Sequence, residues 1–422
     1  MASSSTSPRM IELAAKISSS VAELQSLLSA QGLPSPSFDE DSPESLPASA
    51  AKLQDVVLDA TAELHELLLE PMSAVFRFSA ISNLVSIDAI CRFGIADMIP
   101  AGGQISFAEI AEKTPLDEAL VRRLLRHSMA MRILREPEPG MVAHTKISKF
   151  LTLPYINAWV RVGAADGWPA SARMVDAMEK WPSSESPNET GFCLANNTTK
   201  SIYEILAEDP ERAMRFGASM KSFDHFPGWA IAQVPKLYDW ASLGDARVVD
   251  VGGSQGHVAI EVAKSFEGLT FLVQDMEMFV KDAQAPEELA GRVEFMAHEI
   301  FAPQPVAADV YFFRLIFHNW GDKKALEILR AQIPALKPGA IILIQDGIMP
   351  EPGHMPLWRE RDMRAVDMNM GCFFNSRERH MDEWKSLLAK ADERFVLKRV
   401  IEPERSLLAF LEVVWDAPSA KS

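Results

Sequence analysis

Val248-Val249-Asp250-Val251-Gly252-Gly253-Ser254-Gln255-Gly256 decides the fold of this chain. A buried-strand pattern breaks there into a glycine-rich turn, and the helical pattern of 258–266 follows at once. Glycines at such a turn let the backbone pass very close to a ligand at a helix N-terminus. A second apolar run, Phe271-Leu272-Val273-Gln274, ends on Asp275, nineteen residues after Gly256. A carboxylate at the tip of the second strand accepts both hydroxyls of a ribose, as happens where a doubly wound sheet changes direction. These signals fit a nicotinamide dinucleotide and S-adenosylmethionine alike. Spacing favours the second. Asp250 lies inside the strand, two residues before the first glycine, and Gly252-Gly253-Ser254-Gln255-Gly256 departs from the G-x-G-x-x-G of a dinucleotide turn.

Outward from this turn the pattern alternates. Strands are predicted at 247–251, 270–274, 292–296, 309–313 and 340–345, with helices between most of them, notably at 258–266 and 324–336. Such alternation predicts an α/β domain whose parallel sheet carries helices on both faces. Two late runs, 394–400 and 407–414, lack an intervening helix and are predicted to pair antiparallel at one edge. His318, in His318-Asn319-Trp320, closes the fourth parallel strand. Most histidines are structural, but this one of nine falls on the sheet edge where ligands bind, which points to catalysis.

A chain of 422 residues is long enough for two domains. Its formal charge of -16 argues against nucleic acid and against an anionic membrane surface. The first residues are small and polar, without the apolar core of a secretory signal. No uninterrupted apolar run approaches the ~20 residues of a membrane span. Cys91, Cys193 and Cys372 lack metal-ligand spacing and read as the reduced thiols of a cytoplasmic protein, with no metal expected. The sequon at Asn188-Glu189-Thr190 is then chance.

Four segments follow from the patterning. Residues 1–50 read as a helix at 9–30 and a disordered linker, rich in proline, serine and acid around Pro34 to Pro43. Residues 51–154 read as short helices and a hairpin, beginning with Leu53, Val56, Val57, Ala60, Leu64, Leu67 and Leu68 at helical spacing. Ser106-Phe107-Ala108-Glu109 is a capping box, Thr114-Pro115 is predicted to open the next helix, and 135–142 to turn between two short strands. In isolation this winged-helix pattern, with Arg122, Arg123 and Arg126, points to DNA, but the acidic balance favours a packing and dimerisation module. Residues 155–237 are again helical, with Trp159, Trp168, Trp181 and a second capping box at Ser201 and Glu204; they are placed to wall a substrate pocket. Residues 238–417 form the cofactor-binding catalytic domain.

Three stretches carry a family resemblance: Asp250 to His257, Asp309 to Trp320, and Asn375-Ser376-Arg377-Glu378-Arg379. From about Phe76 onward the chain resembles the class I S-adenosylmethionine-dependent O-methyltransferases of the caffeate type. It is most similar to fungal enzymes that methylate phenolic hydroxyls of polyketides, including at 191–197. The resemblance implies a Rossmann-like domain with a mostly parallel seven-stranded sheet. It also implies a winged-helix N-terminal domain that makes a homodimer and completes the partner's pocket. By position, His318 matches the general base, and Asp346 and Glu378 the acids that orient and polarise it. Gly252 and Gly253 match the methionine end of the cofactor, Asp275 the ribose, and Glu299 and Ile300 the adenine, with Asp250 and Met276 as further cofactor-binding positions. Arg314 matches a basic residue near the cofactor. The chain departs from the family at Ser254, usually glycine, at Asp346 and Glu299, where the acids differ in length, and after Asp275, where leucine-proline is absent.

The chemistry agrees with this set. A phenol near pKa ~10 giving its proton to an imidazole near ~6.5 is uphill by about 5 kcal/mol. Carboxylates behind the imidazole reduce that gap. Met220, Phe223, Met368, Met370, Phe373 and Phe374 are candidates for the pocket wall, where thioethers adapt to a flat aromatic substrate. Three rival readings stay open: a pericyclase using the sulfonium only as a charge, a ligand-sensing winged-helix regulator, and a dehydrogenase.

Overall fold

The computed structural model describes residues 7–79, 82–226, 229–404 and 406–417. The small polar start of the chain, apart from Ser7, lies outside them. Two compact units result. The first comprises 1–166, 211–222 and 352–361, and the second comprises 167–210, 223–351 and 362–422.

In the first unit, helices Arg9–Ala30 and Ala51–Leu68 stand where periodicity predicts them and pack together, with Arg9 paired to Glu63 at 2.5 Å. The segment between them is irregular, as its composition implies, but the expectation of disorder is corrected. Arg132 lies 4.8 Å from the centre of the Phe38 ring, the Phe38 carbonyl accepts from the Lys146 N–H at 3.2 Å, and Glu40 accepts from the Gly102 N–H. One aromatic ring and one acid hold down a segment too polar to fold by itself.

Strands β1 (Ile105–Ser106), β2 (Leu134–Arg135) and β3 (Met141–His144) form a small antiparallel sheet in the order β1-β3-β2. It covers a core built on Ile90, Ile95, Val121 and Leu125. Ser106 and Glu109 make the predicted capping box. The next helix, Glu118–Ala130, starts later than Thr114-Pro115 suggested. The Asp117 carboxylate accepts from the Leu120 N–H at 2.8 Å, so the stronger cap sets the start.

Helices Pro71–Ser79 and Ser82–Arg92 expose Met72, Phe76, Phe78 and Val85, each more than half accessible. Taken as a window rather than an unbroken run, Pro71–Arg92 is long and apolar enough to cross a membrane, although Arg77 and Asp88 interrupt it.

The second unit holds a seven-stranded sheet made of β4 (Arg247–Val251), β5 (Thr270–Asp275), β6 (Val293–Ala297), β7 (Val310–Arg314), β8 (Ile341–Gly347), β9 (Phe395–Ile401) and β10 (Leu408–Trp415). Their order is β6-β5-β4-β7-β8-β10-β9. The first five in that order run parallel, and β10 runs antiparallel to both β8 and β9. Every predicted strand is present within about two residues of its predicted ends.

Period-two alternation divides the core. Val249, Val251, Tyr311, Phe313, Ile342 and Ile344 face one side, packed by Ile328, Leu329 and Trp384. Val248, Val310, Phe312 and Leu343 face the other, packed by Trp240, Ala259 and Val262. Because β4 is flanked by β5 and β7, the chain leaves it in both directions, and the strands' C-terminal ends there form the switch point at which doubly wound sheets bind ligands. All three cysteines are free and buried.

Candidate active site

Two turns at this edge carry the predicted chemistry. After β4, the N–H groups of Gly252 and Gly253 donate to the Gln274 carbonyl at 2.7 and 3.2 Å, folding the turn back onto β5. Gly252 and Gly256 take φ of 78° and 73°, which favours glycine. Side chains are excluded as well: a Cβ on Gly252 would fall 2.5 Å from Ile316 Cδ1, and one on Gly253 2.4 Å from Asp250 Oδ2.

Asp250 is buried beneath this turn. Burial, then the neighbouring Asp275, push its carboxyl up to about 7 against the pull of Arg314, and its Oδ2 has no hydrogen-bond partner among the described residues. Asp275 accepts from the Ser254 N–H at 2.8 Å and from the Met276 N–H at 2.7 Å. Burial raises its carboxyl while those two bonds oppose the rise. Glu299 is exposed and its carboxylate accepts from the Phe301 N–H at 3.4 Å, Ile300 packs partly against the core, and Met276 is exposed. A cradle cleared of side chains, a buried carboxylate lacking a donor, and an acid at the next strand tip fit the amino-acid and ribose ends of S-adenosylmethionine.

The second turn follows β7. The strand ends at Arg314, and His318 sits four residues on, in the short turn Phe317–Asn319, rather than at the strand end as the hydrophobic run implied. Leu315 turns the corner at φ 55°, a left-handed conformation that costs a non-glycine residue about 1–3 kcal/mol. The Leu315 N–H donates to the Gln345 carbonyl at 3.0 Å, and the Phe317 N–H to Asp346 Oδ2 at 2.9 Å.

His318 Nδ1 lies 2.8 Å from Glu378 Oε1 and 3.9 Å from Asp346 Oδ1, with all three residues buried. Burial alone would lower the imidazole. Asp346 and Glu378 outweigh it and carry His318 up to about 9. Burial raises Asp346 to about 6 despite the attraction of His318. These three ligand atoms lie within 4.8 Å of one another, close enough to surround an ion, but the contact between Nδ1 and Glu378 already has hydrogen-bond length.

Sequence reasoning missed what holds this set. Arg379 is fully buried and donates to the carbonyls of Phe317 at 2.9 Å and Trp320 at 2.7 Å, and to Asp322 at 3.0 Å. It therefore fastens the histidine turn to the segment bearing Glu378. The Glu378 N–H donates to Asp367 at 2.8 Å. Gly347 has no room for a side chain, since a Cβ there would fall 2.2 Å from Glu378 Oε2. Only the second arginine of Arg377-Glu378-Arg379 hinted at this arrangement.

The predicted pocket residues meet different neighbours. Phe374 is buried against Tyr203, with ring centres 5.5 Å apart, and Tyr203 lies 6.2 Å from Trp320. Phe373 joins Phe192 at 6.1 Å, while Phe223 stacks on Trp229 at 4.8 Å. Met368 is exposed, Met370 half-buried, and Met220 belongs to the first unit. A cavity of about 170 Å³ is lined instead by residues including Met174, Met178, Trp181 and Asn375. Helical spacing places residues on one face without saying what that face meets.

Residues 185–392 match the O-methyltransferase domain family, and residues 78–153 match the O-methyltransferase dimerisation domain family. The chain is 45% identical over 414 residues to the O-methyltransferase PaMT of Phomopsis amygdali, covering 97% of each. It is 36% identical to the chlorophenol O-methyltransferase of Trichoderma longibrachiatum, covering 98% of this chain and 91% of that one. Among solved structures, the complex of LepI with SAM superimposes with a TM-score of 0.74 at 24% identity, over 95% of this chain and 100% of the other, which supports the fold.

Proposed function

We infer the function from the family: the chain belongs to the S-adenosylmethionine-dependent O-methyltransferases that carry their own dimerisation domain. From that premise we propose that it methylates a phenolic hydroxyl of a secondary metabolite, an aromatic polyketide in class, with His318 as the general base. The observation that carries this reading is the buried His318–Glu378 pair at 2.8 Å with Asp346 beside it. When bound, S-adenosylmethionine supplies a methyl group made electrophilic by its sulfonium. What remains for the protein is to place the hydroxyl and remove its proton.

The Glu378 carboxylate accepts a proton held on Nδ1, which leaves Nε2 of His318 as the lone pair that receives the substrate's proton. With the imidazole carried to about 9, the gap to a phenol near ~10 shrinks from ~3.5 units to ~1, or about 1.4 kcal/mol. An aliphatic alcohol, several units less acidic, stays out of reach. Asp250, Gly252 and Gly253 would hold the methionine end of the cofactor, with Arg314 close by, while Asp275 and Met276 take the ribose and Glu299 and Ile300 the adenine. The linked rings of Trp320, Tyr203, Phe374 and Phe373 suit a flat aromatic substrate, and the name of the chlorophenol relative supports a phenol.

A homodimer belongs to the same proposal. The dimerisation match at 78–153 overlaps the exposed apolar helices Pro71–Ser79 and Ser82–Arg92, and a second copy of the chain is the occupant proposed for that surface.

The test is mass spectrometry of products from a panel of polyketide phenols with S-adenosylmethionine, run beside His318→Ala. The reading expects a gain of one methyl, reduced about 10²–10⁴-fold in the variant. A product of unchanged mass would replace it with the rearrangement reading.

A further inference from the structure

On one face of the sheet, three neighbouring strands end in polar side chains. Alternation puts Asp250 with Val248 on β4, Arg314 with Phe312 on β7, and Gln345 with Leu343 on β8, all on the face packed by Trp240 and Ala259. Asp250 pairs in register with Phe312, and Arg314 with Gln345. Gln345 is fully buried and its Oε1 accepts from Arg314 Nε at 3.1 Å. The Arg314 guanidinium also donates to the carbonyl of Trp229, a residue only 5% exposed.

In this cluster three buried atoms have no partner among the described residues: Asp250 Oδ2, Gln345 Nε2 and Trp229 Nε1. A buried polar atom left unpaired is costly, and three on residues linked to one guanidinium call for a shared explanation. Their chemistry is complementary. Two are N–H donors on residues whose carbonyl oxygens the Arg314 guanidinium already bonds, and the third is a carboxylate oxygen lying against Gly253. Donors beside a cation, with an anion across from them, match a carboxylate and an ammonium on one small ligand. A neutral phenol offers no ammonium, and an adenine offers neither charge.

We propose that Gln345 and Trp229, together with Arg314, receive the carboxylate of the cofactor's amino-acid tail, while Asp250 Oδ2 accepts from its ammonium. The assignment rests on the reading of S-adenosylmethionine as cofactor and adds Gln345 and Trp229 to it as binding residues. Burial that pushes Asp250 up to about 7 agrees, because a fixed ammonium nearby would restore the anion.

The test is calorimetric binding of two probes, S-adenosylhomocysteine and 5′-methylthioadenosine, which share an adenosine but differ in the amino-acid tail. Gln345→Leu keeps volume and deletes the amide, and Trp229→Phe keeps an aromatic ring against Phe223 and deletes the N–H together with the second ring of the indole. Each variant should weaken S-adenosylhomocysteine about 10-fold and leave methylthioadenosine within about twofold. Trp229→Phe carries the test by itself if Gln345→Leu, which also strips a partner from Arg314, fails to fold. Equal losses for both probes would overturn the assignment in favour of plain packing. Unchanged binding of S-adenosylhomocysteine with a raised KM for the phenol would overturn it in favour of a substrate subsite. A wild-type protein that binds neither probe would remove the cofactor reading itself.

Discussion

The glycine turn after β4 and the histidine turn after β7 leave the same edge of the sheet on adjacent strands, yet opposite means build them. The first works by omission. Gly252 and Gly253 have no side chains, and their N–H groups reach a carbonyl only 22 and 21 positions away, at Gln274. The second works by recruitment. His318 takes Asp346 from the end of β8 and Glu378 from 60 positions along the chain, and Arg379 ties the two segments together. A binding cradle needs space and backbone, which local sequence can specify. A strong base needs buried charge held at fixed distances, which only tertiary structure supplies.

If that contrast is right, the largest effect short of removing His318 should come from a single methyl group at Gly347. In Gly347→Ala the new Cβ would meet Glu378 Oε2 at 2.2 Å and push the acid off His318. We expect kcat to fall about 10²-fold with affinity for S-adenosylhomocysteine within about twofold, read by initial rates and calorimetry. Parallel losses of both would erase the distinction between the turns.

The converse change belongs to the other turn. In Gly253→Ala the Cβ would meet Asp250 Oδ2 at 2.4 Å and Val273 at 2.9 Å. S-adenosylhomocysteine should bind about 10-fold more weakly, while kcat at saturating cofactor stays near that of the parent. A pH inflection that moved along with the affinity would show the two turns to be one device.

The smallest effect is the finest probe of the charge arrangement. Only neutral His318 accepts a proton, so kcat/KM should rise about tenfold per pH unit and level off near 9. Burial lowers the imidazole and the two carboxylates raise it, so Glu378→Gln removes one raising influence. The inflection should move down by about one unit or more, in a pH–rate profile taken with a phenol that does not itself titrate in that range. An unmoved inflection would reduce Glu378 to a packing residue.

This same contrast explains what could be read beforehand. Strands β4 to β10, the glycine turn and Asp275 were legible because period, turn chemistry and spacing are local properties. His318 was legible as a position, but its partners came only through family resemblance, since nothing near residue 318 announces a glutamate at 378. Arg379 and Gly347 were invisible for the same reason: each matters through a contact with a distant segment. Asp117 taking the cap from Thr114-Pro115, and Phe38 anchoring a stretch that composition marked as disordered, are smaller cases of tertiary or neighbouring contacts overriding a local signal.

The three buried cysteines acquire a meaning from the reaction this fold serves. A sulfonium methyl donor alkylates soft nucleophiles, and a thiolate is a softer one than the phenolate the enzyme is meant to modify. Cys91 is pushed up to about 12, by burial first and then by Asp88, so it stays a thiol at any physiological pH. Cys372, one residue before Phe373, is raised by burial, and its Sγ sits 3.4 Å from the Asn369 carbonyl and 3.6 Å from Ser171 Oγ. Cys193 is sealed among Thr190, Pro187 and Lys200. The chain thus presents its methyl donor with no exposed thiol of its own, and alkylation of cysteine is opposed by where those three thiols are buried.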